Sequence, residues 1–130
     1  MVGGRDLNDL ILTHKPEDSF YVYELETLKR AYKEWTRAFP TIRPFYAVKC
    51  NPDTHVVATL ATLGAGFDCA SPTEIDLVMG LGVSPDRIIY ANPCKRLSDI
   101  AHARKHNINL TTFDSVCELQ KIASKFPESK

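Results

Sequence analysis

Apolar and polar positions along the chain repeat with a period of about twenty-two residues. Four short segments with strand character begin near Phe45, Phe67, Ile88 and Leu110, which lie 22, 21 and 22 residues apart. After each segment, apolar residues fall at i, i+3 and i+4, the pattern of one buried helix face. These helical sets are Val56, Val57, Leu60 and Leu63; Ile75, Val78 and Met79; Ile100, Ala101 and Ala103; and Val116, Leu119, Ile122, Ala123 and Phe126. The pattern predicts four consecutive strand–helix units.

Residues typical of helix ends flank the predicted helices. In "SPTE", Ser71 suits an N-cap, Pro72 suits the first helical position and Glu74 can close a capping box. Residues that tolerate a left-handed backbone follow three of the helices, and these are Gly64, Gly80 or Gly82, and Asn107.

A lead-in precedes the first unit. One further helix carries Leu28, Tyr32, Trp35 and Phe39 on one face and ends at Pro40. Before it, "SFYVYEL" (Ser19–Leu25) is rich in aromatic and β-branched residues and predicts an additional strand. We therefore expect residues 1–25 to form a lead-in with one strand and residues 26–130 to form the main domain.

Strands that alternate with helices at this spacing predict an α/β fold with a parallel sheet, because parallel neighbours need a crossover connection. A nucleotide-binding open sheet would show glycines after its first strand, and "KCNPDTH" has none. Polar residues instead lie at or near the end of every strand, namely Lys49, Asp68, Asn92 and Asp114. Such ends meet at the mouth of a TIM-type (β/α)₈ barrel, which takes about 250 residues. We expect the first four βα units of such a barrel, in a fragment or a chain that something else completes.

Composition and charge limit the classes of binding partner that the sequence favours. The chain has 130 residues, is 44% hydrophobic and 25% charged, and balances 16 Lys and Arg against 16 Asp and Glu. This balance does not favour nucleic acid or an anionic membrane, so a small-molecule partner fits better. The start "MVGGRDLNDL" has charges and no apolar run, which predicts no signal peptide and a cytoplasmic protein.

Cysteines and histidines give no metal prediction. Cys50, Cys69, Cys94 and Cys117 form no C-x-x-C pair, and we expect them to be reduced thiols. His102 and His106 are four apart on a predicted helix and could present two metal ligands. No third ligand accompanies them along the sequence, so we expect surface residues.

Lys49 has two interpretations at the end of its strand. It is either a solvated lysine or an amine that condenses with the aldehyde of pyridoxal phosphate (PLP). Asp68, at the end of the next strand, either lies within reach of that amine or caps a turn. The local pattern leaves both interpretations open.

Four motifs resemble the N-terminal part of the eukaryotic ornithine decarboxylase family, which consists of fold type III PLP-dependent enzymes. They are "PFYAVKCN", "GFDCAS", "LGV" followed by "RIIYANPCK", and "TTFDS". The resemblance implies that Lys49 carries PLP and that Asp68 lies near this lysine and the cofactor. It also places Glu74 near the cofactor, with its capping role as the alternative, and gives Asn92 and Cys94 roles in packing and loop shape.

The resemblance implies decarboxylation of the amino acid L-ornithine to putrescine, in polyamine biosynthesis, by a homodimer. In the family, a phosphate-binding glycine loop, a histidine stacked on the ring, an acid at the ring nitrogen and a C-terminal β-domain complete the site. None of these lies within the 130 residues, so we expect the fragment alone to be inactive.

Three alternatives stay open. The first is a regulator that resembles antizyme inhibitors, although Asp68 favours an enzyme. Antizyme would bind at about Leu97 to Lys121, a range that carries the basic residues Arg104, Lys105 and Lys121. The second is a sister decarboxylase acting on diaminopimelate, arginine or lysine. The third is a non-catalytic PLP carrier on a single barrel.

Overall fold

The structure is a computed structural model that describes residues 7–14 and 17–130. Within these residues, a parallel sheet of four strands is followed strand by strand by helices. The strands are β1 (Phe45–Ala47), β2 (Gly66–Cys69), β3 (Ile88–Tyr90) and β4 (Leu110–Thr111). The helices are α1 (Leu7–His14), α2 (Leu25–Ala38), α3 (Thr54–Leu63), α4 (Pro72–Gly80), α5 (Leu97–Lys105) and α6 (Val116–Lys125). None of the described helices has the length and apolar character needed to cross a bilayer.

The strand order is β1-β2-β3-β4 and every neighbouring pair is parallel. Because parallel crossovers are right-handed, an order that never reverses places α3 to α6 on the same face of the sheet. A doubly wound open sheet would reverse its order and carry helices on both faces. The four predicted units are confirmed, and their single winding direction is that of a (β/α)₈ barrel.

The hydrophobic core lies between the sheet and these helices. Phe67, Cys69, Ile88 and Tyr90 point to the helices and are almost completely buried. They pack in one cluster with helix residues Val56, Val57, Leu60, Ile75, Val78, Ile100, Ala103 and Ile122. Because side chains alternate along a strand, the neighbouring positions face the other way.

The opposite face of the sheet carries a row that is in register across all four strands, Ala47, Asp68, Ile89 and Leu110. These residues are partly buried or exposed rather than buried. In a complete barrel this face is the interior, which layers of side chains fill. The row therefore marks the face on which Asp68 lies.

Backbone bonds continue the sheet beyond β4. The Lys130 N–H donates to Asn109 O at 2.6 Å, and the Thr111 N–H donates to Lys130 O at 3.1 Å. These two bonds flank Leu110 in the manner of a parallel ladder. Lys130 thus occupies the position of a parallel neighbour of β4.

Hydrogen bonds also connect residues at the N-terminal edge of the sheet, which is the side where the strands begin. Arg87, just before β3, donates to Ala65 O from Nε at 3.0 Å and from Nη2 at 2.6 Å, and to Ala61 O from Nη2 at 2.8 Å. Gly64 ends α3 with a left-handed backbone, φ +97°, and its N–H donates to Ala61 O. Arg87 therefore adds charged donors at the C-terminal end of α3, to Ala61 O, which also accepts from the Gly64 N–H, and to Ala65 O just beyond the helix.

The predicted helix ends are largely confirmed. Asn107 and Gly82 adopt positive φ, 58° and 78°, each two residues after the last residue of its helix, α5 and α4 respectively. The Ser71 side chain caps α4 by accepting from the Glu74 N–H at 3.3 Å.

The predicted strand at Ser19–Leu25 is wrong. Residues 19–24 are irregular, α2 begins at Leu25, and the sequence pattern did not indicate α1. Phe20 and Tyr21 are exposed, and no strand of the described sheet pairs with this segment. Aromatic and β-branched residues favour a strand only where a neighbour supplies hydrogen bonds and packing. The division of the chain at residue 25 stays a prediction.

Candidate active site

Lys49 lies on a short 3₁₀ turn (Val48–Cys50) that follows β1 directly. Val48 is completely buried and fixes this turn to the core, whereas Lys49 is exposed. Two hydrogen bonds hold the loop that follows this turn. Tyr46 Oη donates to Asn51 O at 3.1 Å, and the Asp53 N–H donates to Asn51 Oδ1 at 3.0 Å. Among the described residues, the Lys49 amine makes no hydrogen bond or ion pair. A fixed turn thus presents an unengaged primary amine.

Asp68 lies one residue before the end of β2, on the face opposite the helices. Its register partner is Ala47, two residues before Lys49, so the two side chains belong to the same corner of the sheet. Asp68 Oδ1 is buried and has no hydrogen-bond partner in the described part of the chain. A buried carboxylate oxygen without a partner is unfavourable and suggests a binding role. The corner therefore combines a nucleophilic amine with an unsatisfied acceptor.

Glu74 lies in the first turn of α4 and closes the loop after β2. Its Oε2 accepts from the Ala70 N–H at 2.7 Å, while its own N–H donates to Ser71 Oγ. The capping interpretation is thus confirmed in a variant form, since the carboxylate binds the N–H before the N-cap. Contact between Glu74 and the cofactor stays a prediction.

Cys69 lies beside this corner and is unsuited to be its nucleophile. Burial, with smaller contributions from the negative charges of Glu74 and Asp68, raises the pKa of its thiol to about 12. Because the thiolate is the reactive form, Cys69 is a core residue.

Asn92 and Cys94 shape the loop after β3, as predicted. Asn92 Oδ1 accepts from the Cys94 N–H at 3.0 Å, which is an Asx turn. Cys94 itself is exposed.

Lys95, the next residue, forms a buried ion pair with Glu118, and the partly exposed Lys121 joins them in a cluster that the sequence pattern did not indicate. The side chains of Lys95 and Glu118 are only 1% and 3% exposed. Lys95 Nζ donates to Thr112 O at 2.5 Å, lies 3.6 Å from Glu118 Oε1 and lies 5.4 Å from the centroid of the Tyr90 ring. Lys121 Nζ lies 2.5 Å from Glu118 Oε2 and donates to Lys95 O at 2.5 Å. The cluster ties the loop after β3 to the loop after β4 and to α6.

Glu118 is the centre of this cluster. Burial opposes its ionisation, but the hydrogen bonds from Lys121 and from the Lys95 N–H, with the charges of both lysines, outweigh burial and lower its pKa. The hydrogen bond to Glu118 raises the pKa of Lys121, and burial lowers that of Lys95. The only signal in the sequence is the S-x-x-E motif at Ser115, whose Oγ caps α6.

Comparison with known proteins identifies the family and several relatives of this chain. The family described as "Pyridoxal-dependent decarboxylase, pyridoxal binding domain" matches residues 25–130. Ornithine decarboxylases of Rattus norvegicus and Saccharomyces cerevisiae are 52% and 53% identical over 114 residues, each match covering 88% of this chain. Antizyme inhibitor 2 of Xenopus laevis is 46% identical over 130 residues, covering 97% of this chain. The chain spans 25%, 24% and 28% of the length of these three relatives.

Solved structures agree with the fold. The arginine decarboxylase of Paramecium bursaria Chlorella virus matches 95% of this chain and 34% of its own, with a TM-score of 0.92 and 38% identity. The ornithine decarboxylase of Entamoeba histolytica matches 80% of this chain and 32% of its own, with a TM-score of 0.77 and 43% identity.

Proposed function

Because the chain belongs to the pyridoxal-dependent decarboxylase family and matches its pyridoxal-binding domain, we propose that it supplies the PLP lysine, Lys49, of an L-ornithine decarboxylase. The observation that carries the proposal is the corner between β1 and β2. There, the exposed amine of Lys49 follows the strand position opposite Asp68, whose buried oxygen has no partner in the described residues.

The residues of this corner fit PLP, which is the cofactor of this family. When bound, PLP supplies a conjugated ring that delocalises the negative charge left at Cα by the loss of carbon dioxide. The Lys49 amine would hold the aldehyde carbon covalently, which requires its neutral form. Asp68 would accept a hydrogen bond from a protonated nitrogen at this corner and so keep a proton there. The buried Val48 keeps the turn, and with it the amine, in place.

Similarity to relatives supports ornithine as the substrate. The ornithine decarboxylases of Rattus norvegicus and Saccharomyces cerevisiae are 52% and 53% identical to this chain, whereas the arginine decarboxylase is 38% identical. The arginine decarboxylase has a higher TM-score, 0.92, than the Entamoeba histolytica ornithine decarboxylase, 0.77, but a TM-score compares backbones and not substrate preference. The proposal extends to putrescine as the product, to a role in polyamine synthesis, and to a cytoplasmic homodimer.

A second candidate function is that of a regulator that binds antizyme without catalysis. One relative carries the name antizyme inhibitor, which favours this candidate, while the acid Asp68 favours the enzyme. Two of the basic residues expected on the antizyme surface are engaged within the chain. Arg104 pairs with Glu128 at 3.3 Å, and Lys121 pairs with Glu118.

The experiment is a carbon dioxide release assay on the native polypeptide that carries this sequence, with PLP and with ornithine, lysine or arginine. We expect ornithine to have the highest kcat/KM. Lys49→Arg should abolish release because a guanidinium does not condense with the aldehyde, whereas the matched Lys29→Arg, on the surface of α2, should leave it unchanged. Full activity of Lys49→Arg would contradict the assignment of the lysine, and a preference for arginine or lysine would contradict the substrate. An inactive protein that binds antizyme would establish the second candidate.

A further inference from the structure

Three metal-ligating side chains meet on the outside of the helix layer, away from the corner of Lys49. Asp76 of α4 and His102 of α5 form a hydrogen bond across the two helices, with Nε2 and Oδ1 2.8 Å apart. The rings of His102 and His106 are 4.6 Å apart between centroids. One ligand atom from each of the three residues lies within 4.8 Å of the other two.

The fold creates this cluster by placing two helices side by side. His102 lies in the last turn of α5 and His106 is the residue that follows the helix, four positions on, so the two rings lie side by side at the C-terminal end of α5. Asp76 precedes His102 by 26 residues and meets it only because α4 and α5 are neighbours on one face of the sheet. The third ligand that the sequence did not indicate is therefore supplied by packing.

The distances suit a transition metal after small side-chain movements. In a tetrahedral zinc site with bonds of about 2.0–2.1 Å, ligand atoms are about 3.3 Å apart. Here His102 Nε2 and Asp76 Oδ1 are 2.8 Å apart, and no two of the three ligand atoms are more than 4.8 Å apart. The Asp76 side chain is 57% exposed and His102 is 25% exposed, so rotation about their side-chain bonds is open to them.

We propose that Asp76, His102 and His106 bind a divalent transition metal such as Zn²⁺. Two imidazoles and one carboxylate are ligands that zinc prefers, whereas calcium and magnesium prefer oxygen alone. Three protein ligands leave a fourth position that water can fill. The ion would cross-link α4 and α5 and would stabilise the folded state in proportion to its occupancy.

The test is titration of the native polypeptide, first stripped of metal with a chelator, with zinc chloride in a calorimeter and with cobalt chloride in a spectrophotometer. His106→Gln removes a ligand and keeps the bond between His102 and Asp76. Asp76→Asn removes the carboxylate charge. His55→Gln is the matched control, because His55 pairs with Asp53 at 3.3 Å in a two-residue group.

We expect both site variants to weaken binding of one equivalent at least about tenfold, because even loss of a residue that only supports a ligand typically costs about 10- to 100-fold in affinity. The control should bind like the unmodified protein. Zinc should also raise the melting temperature of the unmodified protein and of the control more than that of either site variant.

Two results would overturn the proposal. The first is a zinc isotherm that neither His106→Gln nor Asp76→Asn changes. The second is a cobalt spectrum dominated by thiolate charge transfer, which would assign the metal to the exposed Cys50, Cys94 or Cys117. Melting curves recorded without metal show whether each variant is folded.

Discussion

The N-terminal edge of the sheet, where the strands begin, and the C-terminal edge, where they end, use their polar side chains in opposite ways. At the N-terminal edge, Arg87 makes three hydrogen bonds to backbone carbonyls of Ala61 and Ala65. At the C-terminal edge, Lys49 is exposed and Asp68 Oδ1 lacks a partner among the described residues. In βα barrels the first edge serves stability and the second chemistry. An exposed amine beside a carboxylate oxygen without a partner, rather than polar groups as such, therefore distinguishes the candidate site.

The C-terminal edge is itself divided. Around β1 and β2, its open half, the polar groups Lys49 and Asp68 lack partners among the described residues, whereas beyond β3 and β4, its closed half, the buried Lys95 and Glu118 pair with each other and with the partly exposed Lys121. The open half provides the candidate active site, and the closed half holds its two loops in place.

The largest expected effect on stability comes from removing the buried ion pair between Lys95 and Glu118 in the closed half. Glu118→Gln should lower the free energy of unfolding by about 3–5 kcal/mol, because it leaves Lys95 buried without a counter-charge. Urea unfolding of the native polypeptide measures this loss. The double variant Lys95→Met, Glu118→Leu should recover much of it, since similar-sized apolar residues replace both buried charges. A loss below about 1 kcal/mol in Glu118→Gln would show that the pair contributes little.

The open half should respond in activity instead. Asp68→Asn should lower kcat/KM for ornithine about 100-fold or more, equal to about 2.7 kcal/mol of barrier, because a preorganised charge at the site is lost. Its free energy of unfolding should not fall, since the buried oxygen has no bond to lose. Kinetics and urea unfolding on one preparation check both expectations. Equal losses in the two quantities would place Asp68 with the structural residues.

The N-terminal edge should show the reverse. Arg87→Ala should cost about 2 kcal/mol of unfolding free energy, because carbonyls of Ala61 and Ala65 lose a charged donor. The kcat/KM of the folded variant should stay within about twofold of the unmodified protein, since this edge is remote from the chemistry. A large fall in kcat/KM without a change in stability would contradict the separation of the two edges.

A smaller effect is expected in the pH dependence of stability. The folded pKa of Glu118 lies below its ordinary value of 4.5, so the unfolded state binds the proton more tightly. The stability that this group contributes is present above pH 4.5 and is lost as the pH falls below 4.5 through the folded pKa. Glu118→Gln should therefore show a flatter decline of stability below pH 4.5 in urea titrations. An unchanged slope would mean that Glu118 does not contribute to acid unfolding.

Local patterns predicted the parts of the fold that depend on local interactions. The spacing of apolar residues located the four units, and strand ends drew attention to Lys49 and Asp68. Local patterns did not predict contacts between residues that are distant in the sequence. Lys95 and Glu118 are 23 residues apart, Asp76 and His102 are 26 residues apart, and each pair meets only through packing. The prediction of a strand at 19–24 was wrong because the segment has a local preference for strand structure but no neighbouring strand to pair with.

The most direct test of the PLP corner is reduction of the native polypeptide with borohydride in the presence of PLP, followed by peptide mass mapping. The account predicts a stable pyridoxyl group on Lys49 and a much weaker signal in Asp68→Asn. A label on another lysine, or no label on Lys49, would contradict it.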